Sequence, residues 1–242
     1  GIAGFTGKKE ALPYILDILS FLEYRGYDSA GIALLSDPMQ IIKSVGKISN
    51  LEEKVNSSDL VDCNIGIAHT RWATHGEPSE DNAHPHKVGK ITLVHNGIIE
   101  NFKELRERLT NEGVTFNSNT DTEVAAALIN YYYDGDMVNA LEKAIKDIKG
   151  SYALAILVDG EDKLYAVRCE SPLILGVGEN EYFVTSDMSA ILEHTNKFVL
   201  LGENEIVTID KNGYKIEKDG KEVNRIVGYR PKKDFESVLE SL

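Results

Sequence analysis

The chain has 242 residues, of which 42% are hydrophobic and 27% charged, and its formal net charge is -13. These proportions are typical of a globular protein with one sizeable core. The acidic surplus argues against nucleic acid or an anionic membrane as partner, because binding phosphate requires clustered Lys and Arg. No apolar run reaches the roughly 18 residues of a membrane span. Two cysteines in so long a chain indicate a reducing, cytoplasmic setting, so we expect a cytoplasmic protein whose partner is a small molecule or another protein.

The first two thirds of the chain combine short apolar strands with amphipathic helices. The apolar run at residues 1–5 predicts that the first residues are tied into a sheet. Further strands are predicted over 32–35, 40–45, 65–69 and 91–95. Helices are predicted over 12–25, 51–58, 101–111, 118–132 and 138–148. The segment 73–89 shows no periodicity and has the length of a functional loop.

The last third contains short apolar runs separated by turn residues, which predict a mainly antiparallel sheet. These runs cover 152–158, 164–168, 173–177, 182–185, 198–201, 206–209 and 214–218. Strands and helices do not alternate strictly, so we expect an α+β fold with two antiparallel sheets face to face and helices outside. The domain is expected to span residues 1–227. Residues 228–242 are expected to be a tail, either a short helix or the start of a linker.

The stretch 68–101 carries most of the chemistry. It contains five of the six histidines and the only tryptophan, which is more polar and planar side chains than packing requires. Arg71 offers a fork suited to a carboxylate, with hydroxyls at Thr70 and Thr74 nearby. The pair Asn96-Gly97 offers two adjacent donors, as an oxyanion hole needs. Together with Asp121, which can accept from an ammonium group, these residues predict a site for an amino acid.

Other interpretations of the same residues remain open at this point. Arg71 can serve in a structural salt bridge, Asn96-Gly97 can form a turn, and Asp121 can cap a helix. The histidine spacing matches no compact metal-binding pattern, and we expect no metal. The segment Gly176 to Gly178 lacks the third glycine of a dinucleotide loop, and the chain has no P-loop lysine motif, so we expect no cofactor.

Several segments resemble the class II glutamine amidotransferases, whose mature chains begin Cys-Gly-Ile-x-Gly. Within that family they are similar to the glutaminase domains of the glucosamine-6-phosphate synthases, and the similarity covers the chain to about Val227. The matching segments lie at 1–4, 22–31, 68–79, 82–86, 94–101, 120–123 and 171–176. The resemblance implies the four-layer αββα sandwich of the N-terminal-nucleophile hydrolases, with two mainly antiparallel sheets.

The resemblance also implies a role for each matched residue. Arg71 is expected to bind the α-carboxylate of L-glutamine and Asp121 its ammonium group, while Asn96 and Gly97 form the oxyanion hole. Help in binding the carboxylate is expected from Trp72, Thr74 and His75. Support of the loops around the site is expected from Gly1, Arg25, His84 and His86.

The family's nucleophile is a cysteine that would stand immediately before Gly1. Its thiolate attacks the side-chain amide of glutamine, and its free α-amine is the general base, with a pKa near neutrality. Gly1 offers no thiol, so the polypeptide as written is expected to bind glutamine without hydrolysing it. The alternatives are a non-catalytic glutamine-binding or regulatory module and the glutaminase domain of another class II amidotransferase, such as amidophosphoribosyltransferase or asparagine synthetase.

The resemblance further implies a partner. In the family, the ammonia aminates fructose 6-phosphate in a sugar isomerase domain, and no segment here matches such a domain. We therefore expect an isomerase domain or subunit to act with this chain, and a homodimer through that half is compatible with this expectation.

Overall fold

The computed structural model describes residues 1–231, which form fifteen β-strands, five α-helices and two short 3-10 helices. The strands of the first half are β1 (Ile2–Gly7), β2 (Ser29–Leu34), β3 (Gln40–Val45), β4 (Ile65–Arg71), β5 (His86–Val88) and β6 (Ile91–Asn96). Those of the second half are β7 (Tyr152–Val158), β8 (Leu164–Cys169), β9 (Ile174–Val177), β10 (Glu181–Thr185), β11 (Lys197–Leu200), β12 (Ile206–Asp210), β13 (Gly213–Lys218), β14 (Lys221–Val223) and β15 (Gly228–Tyr229).

The helices lie between these strands. They are α1 (Ala11–Phe21), α2 (Ile48–Asn56), α3 (Phe102–Asn111), α4 (Asp121–Tyr132) and α5 (Met137–Asp147), and the 3-10 helices cover Leu22–Arg25 and Met188–Ile191. Thr120 caps α4, because its hydroxyl accepts a hydrogen bond from the backbone N–H of Glu123 at 3.2 Å. The predicted helix start near residue 120 is therefore confirmed.

The strands form two sheets in which every named neighbouring pair is antiparallel. One sheet has eight strands in the order β15-β11-β9-β10-β1-β4-β2-β3, and the other has seven in the order β14-β13-β12-β8-β7-β6-β5. In the first sheet, β1 lies in the interior between β10 and β4. The predicted attachment of the first residues to a sheet is confirmed.

Three apolar clusters separate four layers. One lies between the sheets and includes Ile67 and Val94, one packs α3 to α5 on the seven-stranded sheet, and one packs α1 and α2 on the eight-stranded sheet. Strand β7 is packed on both faces, which explains why its sequence is continuously apolar. Its alternate residues Ala153 and Ala155 face the other sheet, while Leu154 and Ile156 face the helices. The αββα sandwich expected from the sequence is confirmed.

The structure differs from the sequence prediction in several boundaries. The helix predicted over 12–25 is α1 followed by a 3-10 turn, and the predicted loop 73–89 contains strand β5. Strand β15 extends the eight-stranded sheet because Tyr229 pairs with Lys197. Most of the predicted tail, residues 232–242, lies outside the described residues, so the domain boundary at 227 stays a prediction. No helix in the described part of the chain is long and apolar enough to cross a bilayer.

A glycine in β2 fixes how closely the loop before β5 approaches the eight-stranded sheet. A Cβ on Gly31 would overlap the carbonyl oxygen of His84 and would come within 3.0 Å of the side chain of Pro85. The neighbouring backbone, rather than a flexible side chain, fills the space beside Gly31. The close packing of the His84 backbone against the eight-stranded sheet therefore requires glycine at residue 31.

We predict that Gly31→Ala lowers the free energy of unfolding by about 3 kcal/mol or more, because the new methyl group must displace packed backbone. Gly160→Ala is the control. A Cβ at Gly160 meets nothing within 4 Å, and only its φ of +84° is unfavourable, so a loss of about 1 to 2 kcal/mol is expected. Urea unfolding of both variants measures the difference, and equal losses would contradict the close-approach argument.

Candidate active site

A cavity of about 310 Å³ opens at one end of the layer between the two sheets. It is lined by the start of β1, the end of β4, the end of β6 and the start of α4. The lining residues are Gly1, Arg25, His69, Thr70, Arg71, Trp72, Thr74, His75, His84, His95, Asn96, Gly97, Thr120, Asp121 and Thr122. Of the residues predicted from the sequence, only His86 does not line the cavity. Its Nε2 lies 3.1 Å from the hydroxyl oxygen of Thr120, directly behind the wall.

Strand periodicity explains how two of these side chains meet. Ile67 on β4 and Val94 on β6 both belong to the apolar cluster between the sheets. Alternate residues of a strand face the same side, so His69 on β4 and Asn96 on β6 also point into this layer. Their atoms Nε2 and Oδ1 are 2.9 Å apart. The cavity therefore lies where the layer between the sheets changes from apolar to polar side chains.

Arg71 is buried at the end of β4, with 4% of its surface exposed. Its Nη2 donates to the carbonyl oxygens of His75 and, at 3.0 Å, Gly76, and its Nη1 donates to that of Glu77 at 3.4 Å. Burial lowers the pKa of the guanidinium, while the charges of Asp28 and Asp121 oppose that shift. Arg71 therefore holds the loop that follows β4, and a bound carboxylate would have to share or replace these backbone contacts.

Asp121 is buried at the first turn of α4. Its Oδ2 accepts a hydrogen bond from the backbone N–H of Ile99 at 2.9 Å and lies 4.0 Å from Nδ1 of His95. The positive end of the helix dipole stabilises a carboxylate at this position. Asp121 is thus a fixed negative group in the cavity wall, and its charge acts on the guanidinium of Arg71, which lines the same cavity.

The pair Asn96-Gly97 ends β6 at the cavity. Gly97 has a φ of +115°, and a Cβ there would overlap the carbonyl oxygen of Ser151. Only glycine fits this backbone, which turns the chain sharply at the cavity edge. Asn96-Gly97 therefore forms a turn, as the alternative interpretation of the sequence had it, and the same two residues also line the cavity.

Four buried histidines lie in the cavity wall or directly behind it. The rings of His69 and His84 stack with centroids 4.0 Å apart, and His86 contacts His84 edge-on. Burial lowers the pKa of His69, His84 and His86 well below the ordinary 6.5, and it also lowers that of His95 against the opposing charge of Asp121. These imidazoles are therefore neutral near pH 7. No group of acidic, His and Cys side chains within residues 1–231 has the geometry of a metal site.

His95 points away from the sheet interface towards α4. Its Nδ1 lies 2.9 Å from the hydroxyl oxygen of Thr122, and its Nε2 lies 3.4 Å from the carbonyl oxygen of Ser151. A carbonyl only accepts, so Nε2 carries the proton and Nδ1 accepts from the hydroxyl. His95 thus ties β6 to α4 and fixes the distance between Asn96 and Asp121.

The mouth of the cavity is aromatic and partly charged. Arg25 donates to the hydroxyl of Tyr24 at 2.7 Å and to the carboxylate of Asp187 at 3.0 Å, which anchors the 3-10 helix that ends at Arg25. Trp72 is 63% exposed, and its ring meets that of Tyr27 edge-on with centroids 6.2 Å apart. The mouth therefore exposes flat apolar side chains around a polar interior.

Four wall residues, His69, His95, Thr120 and Thr122, were not predicted from the sequence to belong to the site. For His69 a signal was present, since it stands two residues before Arg71 on one strand and shares its face. The contacts of His95 with Thr122 join segments 27 positions apart and had no local signal.

Comparison with known proteins shows the family of this chain. A family model described as "Glutamine amidotransferase domain" matches residues 69–193, more than half of the chain. Glutamine--fructose-6-phosphate aminotransferase [isomerizing] from Clostridium tetani is 54% identical over 232 residues, covering 93% of this chain and 38% of that protein. The protein of the same name from Thermococcus kodakarensis is 48% identical over 224 residues, covering 90% of this chain and 37% of that protein.

A solved structure supports the fold independently. The glutamine phosphoribosylpyrophosphate amidotransferase of B. subtilis superposes with a TM-score of 0.78 at 26% identity, covering 90% of this chain and 48% of that chain. The fold and site thus define an amidotransferase domain with the sandwich of the N-terminal-nucleophile hydrolases. The chain belongs to the glutamine amidotransferase domain family. It is homologous to the glutaminase part of glutamine–fructose-6-phosphate aminotransferases and spans little more than a third of their length.

The neutral histidines predict how stability depends on pH. Below pH 6.5 the unfolded chain binds protons at imidazoles that the folded protein keeps neutral, so the free energy of unfolding falls as the pH drops. Each such histidine contributes a slope of up to about 1.4 kcal/mol per pH unit. Urea unfolding between pH 7.5 and 5.5 measures the slope.

Two variants check the cause of this slope. His86→Gln should reduce the slope of the free energy of unfolding against pH by up to about 1.4 kcal/mol per pH unit. Thr92→Val changes a fully buried side chain that does not titrate and should leave the slope unchanged. If His86→Gln has the slope of the parent protein, the assignment of a neutral buried His86 is wrong.

Proposed function

We propose that this chain is the glutaminase half of an amidotransferase, which hydrolyses L-glutamine to glutamate and ammonia once a cysteine is joined to Gly1. The observation that carries the proposal is the convergence of a buried guanidinium, a buried carboxylate and the Asn96-Gly97 pair on one cavity. A guanidinium and a carboxylate that line one cavity match the two α-groups of an amino acid. The amide and glycine pair then serves the side-chain end of the substrate.

In this proposal Arg71 binds the α-carboxylate, helped by Trp72, Thr74 and His75, which line the same cavity. Asp121 binds the α-ammonium group. Asn96 and Gly97 form the oxyanion hole, where their donors stabilise the charge that develops on the amide oxygen as it becomes tetrahedral. Supporting positions are assigned to Gly1, Arg25, His84 and His86.

The nucleophile is proposed to be a cysteine joined to the nitrogen of Gly1. That nitrogen lies in the cavity wall, 2.7 Å from the carbonyl oxygen and 3.1 Å from the hydroxyl oxygen of Thr70. One more residue extends the chain by about 3.8 Å between Cα atoms, so its thiol and α-amine would lie in the cavity. The start of β1 is held within its sheet and would aim both groups reproducibly.

The proposed reaction has two halves. The α-amine takes the thiol proton, the thiolate attacks the amide carbon, and the amine returns the proton to the departing nitrogen, which releases ammonia and leaves a glutamyl thioester. Water then adds to the thioester with the amine again as base, and cleavage of the carbon–sulfur bond gives glutamate and regenerates the thiol. Asn96 and Gly97 stabilise the oxyanion in both halves.

The acceptor of the ammonia is proposed from the relatives. Proteins named glutamine--fructose-6-phosphate aminotransferase match this chain over little more than a third of their own length. We infer that a sugar isomerase domain or subunit uses the ammonia to aminate fructose 6-phosphate, that a homodimer would form through that half, and that the enzyme works in the cytoplasm.

A version of the protein that carries one cysteine before Gly1 tests the proposal. We predict that it releases ammonia from L-glutamine, whereas the chain that begins at Gly1 binds glutamine without turnover. A serine in place of that cysteine is the matched control and should be at least about 1,000-fold slower, because the hydroxyl is a far weaker nucleophile at neutral pH. Binding by calorimetry in all three versions with ammonia release in none would favour a non-catalytic glutamine-binding module.

The role of Asp121 has a separate test. Asp121→Asn keeps an acceptor for the N–H of Ile99 but loses the negative charge, so the Kd for glutamine should rise about 10- to 100-fold, as expected for losing a charge-assisted hydrogen bond. The analogue of glutamine without its α-amino group should bind the parent and the variant equally.

Asp147→Asn is the control for that test. Asp147 contacts Arg108 and Tyr132 and does not line the cavity, so its replacement should leave both affinities unchanged. A loss of affinity for the amino-free analogue in Asp121→Asn would show that Asp121 supports the fold of the site rather than the ammonium group.

A further inference from the structure

We propose that His69 is a positioning residue that orients the side-chain amide of Asn96 so that its NH₂ group, and not its oxygen, faces the reacting carbonyl. The inference rests on the proposed function, in which Asn96 donates to the oxyanion. It assigns to His69 a specific role in the rate of the reaction, beyond lining the cavity.

The geometry joins the two side chains directly. Nε2 of His69 lies 2.9 Å from Oδ1 of Asn96, and both residues are on strand ends that face each other across the sheet interface. An asparagine amide has one accepting and one donating end. When the imidazole donates to Oδ1, the donating end is left for the cavity. The opposite arrangement would present an oxygen to a developing negative charge and would oppose the reaction.

The proton position on His69 decides between these arrangements. A fully desolvated imidazole next to the positive Arg71 stays neutral, because burial lowers its pKa well below 6.5, and it therefore carries a single N–H. Nδ1 of His69 is buried and has no hydrogen-bond partner among residues 1–231. A proton on Nδ1 would be a buried donor without an acceptor, which is the more costly arrangement. The proton therefore belongs on Nε2, where it meets Oδ1 of Asn96.

The ring of His69 cannot rotate away from this contact. It stacks on His84 with centroids 4.0 Å apart and planes 16° apart. His84 is fixed in turn, because its Nδ1 accepts the backbone N–H of His95 at 3.2 Å, and His95 is the residue before Asn96. The end of β6 therefore holds both groups, because it carries Asn96 and fixes His84, on which the imidazole of His69 stacks.

The consequence concerns the transition state rather than binding of the substrate. The carbonyl oxygen of glutamine gains its full charge only on attack, so a misoriented Asn96 should lower kcat and leave KM for glutamine nearly unchanged. Removal of one oxyanion donor costs about 100- to 1,000-fold in kcat in comparable sites. We expect about 10- to 100-fold here, because Gly97 and a fraction of correctly oriented Asn96 remain.

Two variants in the protein that carries a cysteine before Gly1 provide the test. His69→Phe keeps a flat ring against His84 but removes the donor, and kcat should fall about 10- to 100-fold with KM within about threefold. His69→Gln replaces the ring but keeps an N–H donor at a similar reach, and it should recover kcat to within about fivefold of the parent. Equal losses of kcat in both variants would overturn the donor role.

Two further measurements keep the test decisive if His69→Phe folds poorly. Histidine ¹⁵N spectroscopy of the parent protein should show His69 protonated at Nε2, and protonation at Nδ1 would overturn the inference. The Kd for glutamate should be unchanged in both variants, while an aldehyde analogue of glutamine, which forms a tetrahedral adduct with the thiol, should bind His69→Phe more weakly. If the parent itself releases no ammonia, the proposed function fails, and the ¹⁵N result still decides the orientation of the proton.

Discussion

The interior position of strand β1 is the constraint on which the site depends. The strand is paired on both sides, with β10 and β4, and its first residues are held by side-chain contacts. The N–H of Ile2 donates to the hydroxyl of Ser186 at 2.9 Å, and the nitrogen of Gly1 contacts Thr70. A strand end fixed in this way has little freedom. Whatever group is joined to Gly1 is therefore aimed at one point in the cavity.

The two-sheet architecture supplies the surroundings of that point. The layer between the sheets is filled mainly with small and branched apolar side chains, and polar side chains gather at the strand ends near Gly1. Charges there act in an environment of low polarity, where their interactions are stronger than in water. In the proposed function, this environment would let Arg71 and Asp121 discriminate an amino acid from a neutral molecule of the same size.

The polar groups of the wall are also what makes it rigid. Each of the histidines His84, His86 and His95 connects two segments through a ring contact or a hydrogen bond. Since burial keeps these rings neutral near pH 7, they act as fixed spacers with one donor and one acceptor each. The histidine-rich stretch thus supports the wall, while the groups suited to bind substrate are Arg71, Asp121 and the Asn96-Gly97 pair.

The sequence by itself determined the fold class, the start of α4 and most of the residues that line the cavity. Helix caps, strand periodicity and contiguous motifs are local, and they appear in neighbouring positions of the chain. It could not determine strand order, because β15 joins the sheet at β11 and β1 lies between β10 and β4 through backbone pairing that has no local signature.

Only the tertiary structure decided how the site residues meet. The contact of His69 with Asn96 depends on the distance between two sheets, and that distance is set by side chains as small as Ala153 and Ala155 between them. The place of His84 depends on the missing Cβ of Gly31. Sequence identifies which groups can act, but the orientation of the Asn96 amide follows from its contact with His69, because no local rule fixes which end of a side-chain amide faces the cavity.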